Sequence, residues 1–223
     1  QSASHESGGS AARWLYRILS TSAPLQEKVA LFWHHIFATG VSKVDHWDEI
    51  IDMVDMFREK GMGNYRDMLV ALAQNPAMIY WLDNCDNHES GVNENWGREL
   101  LELFSMGVGN YTEDDVRACA RAFSGWTMTH VLPRYPTGYW PADFVYRAED
   151  HDDGEKTFLG ETGNFNGDDI IEIIIRQPAT GTFVAREIYK FFVADEPDEA
   201  AIEQIANEKA KKLNSHGKTK SQS

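Results

Sequence analysis

Between positions 25 and 38 the chain reads LQEKVALFWHHIFA, with Val29, Phe32, Trp33, Ile36 and Phe37 at helical spacing until Gly40 stops the pattern. An apolar arc this wide belongs inside a protein, so the helix must be central, with other amphipathic elements packed around it. The rest of the chain supplies them. Trp14, Leu15, Ile18 and Leu19 mark a helix over 11–20. Asp45 can cap a third, carrying Ile50, Ile51, Val54 and Phe57 before Gly61. Asn64 starts a fourth that the Asn75-Pro76 step ends, and Pro76 suits the first turn of a short helix through Leu82. Asn93 or Asn95 caps a helix running to Met106, with Gly107 after it. Thr112, followed by Glu113, Asp114 and Asp115, opens another that ends at Gly125. Further helical segments are predicted near 169–177, 180–193 and 198–213.

Between Trp126 and Gly167, Pro133, Pro136, Pro141 and many glycines exclude a long helix and leave room for short strands at most. The fold class is therefore mainly α: a multi-helix globular body with one long, irregular, aromatic and Gly/Pro-rich insertion. Residues 11–195 read as a single helical domain, with 126–167 as its insertion. The polar, small stretch 1–10 reads as a disordered, trimmed terminus rather than a signal peptide, and 196–223 as a C-terminal helix with a frayed basic tail.

The 223 residues can bury roughly 70% of the surface of the unfolded chain, so a core needs neither disulfides nor a metal. Cys85 and Cys119 can pair or stay reduced; they are too few for a disulfide framework and too far apart for a zinc knuckle. No run of about 18 apolar residues exists to cross a membrane. With 21 basic against 35 acidic residues, the net charge of −14 repels phosphate backbones and anionic lipid. A neutral or cationic ligand fits such a surface, and nucleic acid does not.

Several strings carry a resemblance: LFWHHIFATG (31–40), GNYRDML (63–69), NPAMIYWLDN (75–84), NENWGRELLELFSMGVGNYTEDDV (93–116), ARAFSGW (120–126), HDDGEKTFLGETGNFNGDDII (151–171) and PATGTFVAREIYKFFV (178–193). Together they resemble the bacterial domain of unknown function 1800 family over roughly residues 25 to 193. Members of that family are mostly longer and often exported, so the resemblance implies an extracytoplasmic bacterial setting, although the chain itself shows no signal peptide. The family often carries Trp-His-x-His-Phe, where this chain has Ile36 at the second histidine position and His35 one residue earlier. By the same comparison the family's usual N-terminal helical portion is absent or shortened.

The residues that could carry chemistry begin with Asn93-Glu94-Asn95-Trp96-Gly97-Arg98-Glu99-Leu100-Leu101-Glu102. On a helix Glu94, Arg98 and Glu102 form one stripe, while Trp96, Leu100 and Leu103 line another face. Glu99 and Glu102, three residues apart, can share a proton, a metal or a substrate. The same pattern also describes a solvated ion-pair ladder. Gly97 inside a helix costs about 1 kcal/mol relative to Ala, which points to close approach of another group.

Adjacent helical residues diverge by about 100°, so His34 and His35 do not face one ion, and no HExxH occurs. His34 can face a polar cavity, or either histidine can be structural. Asp150-His151-Asp152-Asp153-Gly154 lacks the full acidic pattern and distal Glu of a calcium loop, so it reads as a turn or as His151 and Asp152 facing the Glu99 helix across a cleft. Trp126, Tyr135, Tyr139, Trp140 and Tyr146 can stack on sugar rings or pack as a lid. The loop 160–167 lacks the Lys-Ser/Thr of a phosphate loop, Asp168 or Asp169 serves better as a helix cap, and no Gly-x-Ser-x-Gly elbow is present.

The leading expectation is a hydrolase acting on carbohydrate through carboxylate acid/base chemistry. Glu99, Glu102, Glu94 and Arg98 would be its catalytic residues, and His34, Asn95, Trp126, Trp140, His151 and Asp152 its substrate contacts. That reading needs no cofactor. One alternative is a metallohydrolase or metal-binding protein using His34, His151 and the acids with a divalent metal; another is a non-catalytic exported scaffold or polymer-binding module.

Overall fold

The computed structural model describes residues 3–40, 42–44, 47–129 and 142–207, with 3–10 and position 47 as backbone only. It is mainly α, as the patterning predicts. The helices are α1 (Ala3–Ser20), α2 (Pro24–Ile36), α3 (Trp47–Lys60), α4 (Tyr65–Ala73), α5 (Pro76–Trp81), α6 (Asn95–Glu102), α7 (Glu113–Ala122), α8 (Gly167–Arg176) and α9 (Pro178–Phe192), and 199–207 is helical as well. The first helix begins well ahead of position 11, because backbone helix continues upstream of the apolar residues that mark it. Asp45, Tyr135, Tyr139, Trp140 and the three prolines of the insertion lie outside the described residues.

Local chemistry sets most of the boundaries. Asn64 accepts from the Arg66 amide at the start of α4, and Asn75 accepts from the amides of Ala77 and Met78 ahead of Pro76 in α5. Thr112 and Asp115 form a reciprocal capping box on α7. At α8 the cap is Asn166 rather than Asp168 or Asp169. Its side chain accepts from Gly167 N and from Trp126 Nε1, and Asp169 returns a bond to the Asn166 amide. The helix expected to reach Met106 stops at Glu102. There the ladder slips to wider bonds, Phe104 N to Glu99 O and Met106 N to Leu101 O, the Ser105 hydroxyl takes the Leu100 carbonyl, and Gly107 turns the chain at φ 77°.

α2 is the central element, packed against α1 and α3. Its aromatic residues begin a continuous run of ring contacts through the molecule. Trp33 stacks on Phe37 at 5.2 Å, Phe37 meets Phe104 at 5.2 Å, and Phe104 meets Trp96 at 6.1 Å. Trp96 then meets Phe123 at 5.6 Å, Phe123 meets Trp126 at 5.0 Å, and Trp126 meets Phe144 at 5.1 Å. Burying one such ring contributes about 1.5–3 kcal/mol, so this run outweighs any single surface ion pair by a wide margin.

The described parts of the insertion hold two small antiparallel sheets: β1 (Trp126–Met128) with β2 (Phe144–Tyr146), and β3 (Lys156–Phe158) with β4 (Glu161–Gly163). The first is anchored to a 3-10 turn, Asn84–Asp86, by two buried amides. Asn84 Nδ2 donates to the carbonyls of Phe123 and Trp126, and Asn87 Nδ2 donates to Asn84 Oδ1 and the Ala120 carbonyl. They satisfy backbone oxygens left open where α7 ends. Cys85 and Cys119 are both buried and unpaired.

Candidate functional site

Gly97 sets the position of α6. A Cβ there would lie 3.1 Å from both the Ala120 amide nitrogen and the Val116 carbonyl, so its absence lets α6 and α7 pack backbone to backbone. Trp96, Leu100 and Leu101 face inward, and the polar residues of α6 are divided between two outer stripes.

Along the α7 side, Arg98 forks onto Glu113 at 2.8 and 2.7 Å and reaches Glu94 at 3.2 Å, while Arg117 approaches Glu94 at 3.6 Å and Asp114 at 2.9 Å. The fork onto Glu113 is the first cause of an Arg98 pKa raised above its usual range. Glu94 and Arg98 are partly exposed and their partner Glu113 is exposed, so they sit in a surface ladder that ties α6 to α7 and is worth little individually.

The second stripe carries Asn95, Glu99 and Glu102. Asn95 Nδ2 lies 3.4 Å from Asp83 Oδ2, and Asp83 Oδ1 takes the Lys43 ammonium at 2.6 Å. Lys43 also donates to the Trp81 carbonyl at 2.8 Å and lies 6.0 Å from the centre of the Tyr80 ring. Asp83 holds a left-handed backbone at φ 56°, a conformation short polar side chains tolerate. At the other end, Glu102 accepts from the Tyr111 hydroxyl at 3.0 Å; burial first, then Glu102, pushes that hydroxyl up to about 12, so it stays a donor.

Glu99 lies between these anchored groups, half-buried and without a hydrogen-bond or ion-pair partner among the described residues. Burial, and then the charge of Glu102, raises its pKa above the usual carboxylate range against the opposing pull of Arg98. Helical side chains lean toward the N-terminus, so Glu99 leans toward Asn95 and hence toward Asp83. The stripe therefore carries a carboxyl with a raised pKa, four residues on from Asn95, whose amide meets the lysine-paired carboxylate of Asp83. Asp83 and Lys43 went unnoticed in the sequence. Asp83-Asn84 after an apolar run is a turn signal that singles out Asp83, but Lys43, separated from it in sequence, carries no comparable mark.

The other expected contacts lie apart from this strip. His34 packs between the rings of Trp14, at 5.3 Å, and Phe57, at 6.4 Å; its Nδ1 has no partner among the described residues, and burial lowers its pKa. Trp126 is buried among Phe123, Phe144 and Gly167, so its face is unavailable for stacking. Trp81 is partly exposed, its ring lies beside Gly40, and its carbonyl accepts from the same Lys43 that pairs with Asp83.

His151 is buried, with Nδ1 at 2.9 Å from the Ser124 carbonyl. Asp152 accepts from Arg121 at 2.6 and 3.0 Å and from the Gly154 amide at 2.8 Å, and the Arg121 contact is the first cause of its lowered pKa. No hydrogen bond or ion pair among the described residues links His151 or Asp152 to Glu99 or Glu102. No group of three or more His, Cys, Asp or Glu side chains among the described residues is arranged to hold a metal ion. Within the same residues no helix is long and apolar enough to cross a membrane.

Comparison with curated proteins finds no match, and comparison with solved structures finds none either. Comparison with protein families matches residues 2–215, a longer span than the motifs alone cover, to the family described as Protein of unknown function (DUF1800), and the chain belongs to that family.

Proposed function

We propose that this chain is a hydrolase acting on carbohydrate, with Glu99 as its proton donor. One observation carries the reading: a half-buried carboxyl with a raised pKa and no partner among the described residues, on a helix where Asn95, Arg98 and Glu102 are each engaged. An acid that protonates a leaving oxygen needs a pKa closer to neutrality than a free glutamate has. Burial first, and then the like charge of Glu102, itself held by Tyr111, shift Glu99 in that direction. Asp83, oriented by Lys43 and Asn95, is the carboxylate that would assist the attack of water or attack the sugar itself. Asn95 between them would contact a substrate hydroxyl, and the Trp81 ring would cover one face of the sugar. The extracytoplasmic setting implied by the family resemblance is part of the proposal.

A panel of aryl glycosides and soluble polysaccharides, assayed with EDTA present, tests it. Turnover should survive the chelator and fall by about 100-fold or more in Glu99→Gln, the usual cost of losing a general acid. The variant's melting temperature should show that it remains folded. A folded Glu99→Gln protein with full turnover would remove Glu99 from the mechanism. Turnover that EDTA abolishes would favour the metal-dependent alternative.

A further inference from the structure

Lys156 in β3 is 1% exposed, in a molecule whose other described lysines reach the surface. Lysines are almost never fully buried unless paired. Its ammonium donates to the Asp152 carbonyl and, at 2.9 Å, to the Gly154 carbonyl, and it lies 3.9 Å from Asp152 Oδ1. An ammonium has three donors and no acceptor, and this pocket presents three oxygens to it.

The loop that forms the pocket is held from outside. Asp152 N donates to the Ser124 hydroxyl at 2.8 Å, and Arg121 of α7 clamps the Asp152 carboxylate. Leu159 N, just beyond β3, donates to Asp115 of α7 at 2.7 Å. Backbone carbonyls and one carboxylate wrapped around a point charge resemble the arrangement by which an acidic loop holds a hard cation. The sequence 150–154 has that character but lacks the complete ligand set, and here the chain's own ammonium occupies the centre.

We propose that the loop 151–155 is a cation site filled internally by Lys156, and that removing the side chain beyond Cβ leaves a pocket for a primary alkylammonium ion. The charge facing the pocket is mixed: Asp152 and Asp153 are acidic, and Arg121, paired with Asp152, is basic. A divalent metal would be repelled by Arg121, whereas a monovalent ammonium repeats the native charge balance. The four atoms removed in Lys156→Ala correspond to n-propylammonium.

The experiment compares thermal unfolding of wild type, Lys156→Met and Lys156→Ala in n-propylammonium chloride, in n-propanol and in sodium chloride at equal concentrations. Both variants should melt lower than wild type by on the order of 10 °C, because the two carbonyls that hold the loop around the buried ammonium lose their donor, and Asp152 keeps only Arg121 as a cation. Propylammonium should raise the melting temperature of Lys156→Ala by several degrees, whereas n-propanol and sodium chloride should not. If neither variant is folded on purification, refolding of Lys156→Ala that succeeds only in propylammonium gives the same support. Lys156→Met as stable as wild type would overturn the proposal, and so would a Lys156→Ala protein indifferent to propylammonium in both melting and refolding. Native acylation mapped by mass spectrometry gives a check that needs no variant: Lys28 and Lys60 should react while Lys156 does not, and equal labelling of Lys156 would also overturn it.

Discussion

Two carboxylates of similar depth in sequence pattern have opposite surroundings. Glu27 in α2 is buried and receives Arg58 at 2.9 Å from α3, with Trp14 at 3.1 Å and Arg17 at 2.8 Å from α1. Burial alone would raise its pKa, but the Arg58 contacts, reinforced by Trp14 and Arg17, prevail and hold it low. Glu99 has burial and a like charge with no such compensation, so it moves the other way. The stabilising contribution of Glu27 is full above the carboxylate range of the unfolded chain, about pH 4.3, and is lost as pH falls through its depressed folded value. Asp152, also depressed, adds to the same acid-side loss. Glu27→Gln should therefore flatten the dependence of stability on pH below about 5. At neutral pH it should cost about 2 kcal/mol, since buried Arg58 keeps only Asp55 as an anionic partner. Urea titrations from pH 3 to 7 on both proteins measure it, and parallel stability curves would show that Glu27 is not the group responsible.

At the scale of elements, the helix most relevant to the proposed chemistry is positioned by a residue with no side chain. Gly97→Ala gains about 1 kcal/mol in helix propensity but drives a methyl group against the backbone of α7. The steric effect should win, with a net loss of about 1–2 kcal/mol and a shift of the α6 stripe that lowers turnover as well as stability. Chemical denaturation read beside the glycoside assay checks both, and a stabilised, fully active variant would mean that α6 and α7 have room to separate. Much of this layer was legible in the sequence: Asn64, Asn75, Thr112 and the proline at position 76 mark their helices because capping is local chemistry. The early end of α6 was not, because Ser105 and the slipped bonds act after an apolar run that still looks helical. The site was legible only in its α6 half. Glu99 could be singled out by spacing, but whether Glu94 or Asp83 joins it depends on which neighbours the tertiary fold brings to each stripe. Trp126, which the sequence leaves open between a sugar platform and a packed lid, is core by its packing against Phe123 and Gly167.

Across the whole molecule the aromatic run from Trp33 to Phe144 joins the central helix to the first small sheet without a break. Three of its members, Trp33, Trp96 and Trp126, report from its beginning, middle and far end. Tryptophan fluorescence and far-UV circular dichroism should therefore lose their native signals at one denaturant midpoint, within the error of the fits. Two separated midpoints would instead divide the run into independently unfolding parts. The buried amides of Asn84 and Asn87 reinforce this unity, since the 3-10 turn, the end of α7 and β1 share their bonds. The cap on α8 has a consequence on a slower clock. Asn166-Gly167 is the dipeptide most prone to deamidate, by attack of the following amide nitrogen on the side-chain carbonyl carbon. In the folded chain that nitrogen already donates to Asn166 Oδ1, and Trp126 Nε1 holds the same oxygen. The chain is thus chemically durable at this bond only while it is folded, and isoaspartate accumulating at position 166 during storage would record the time each molecule had spent open.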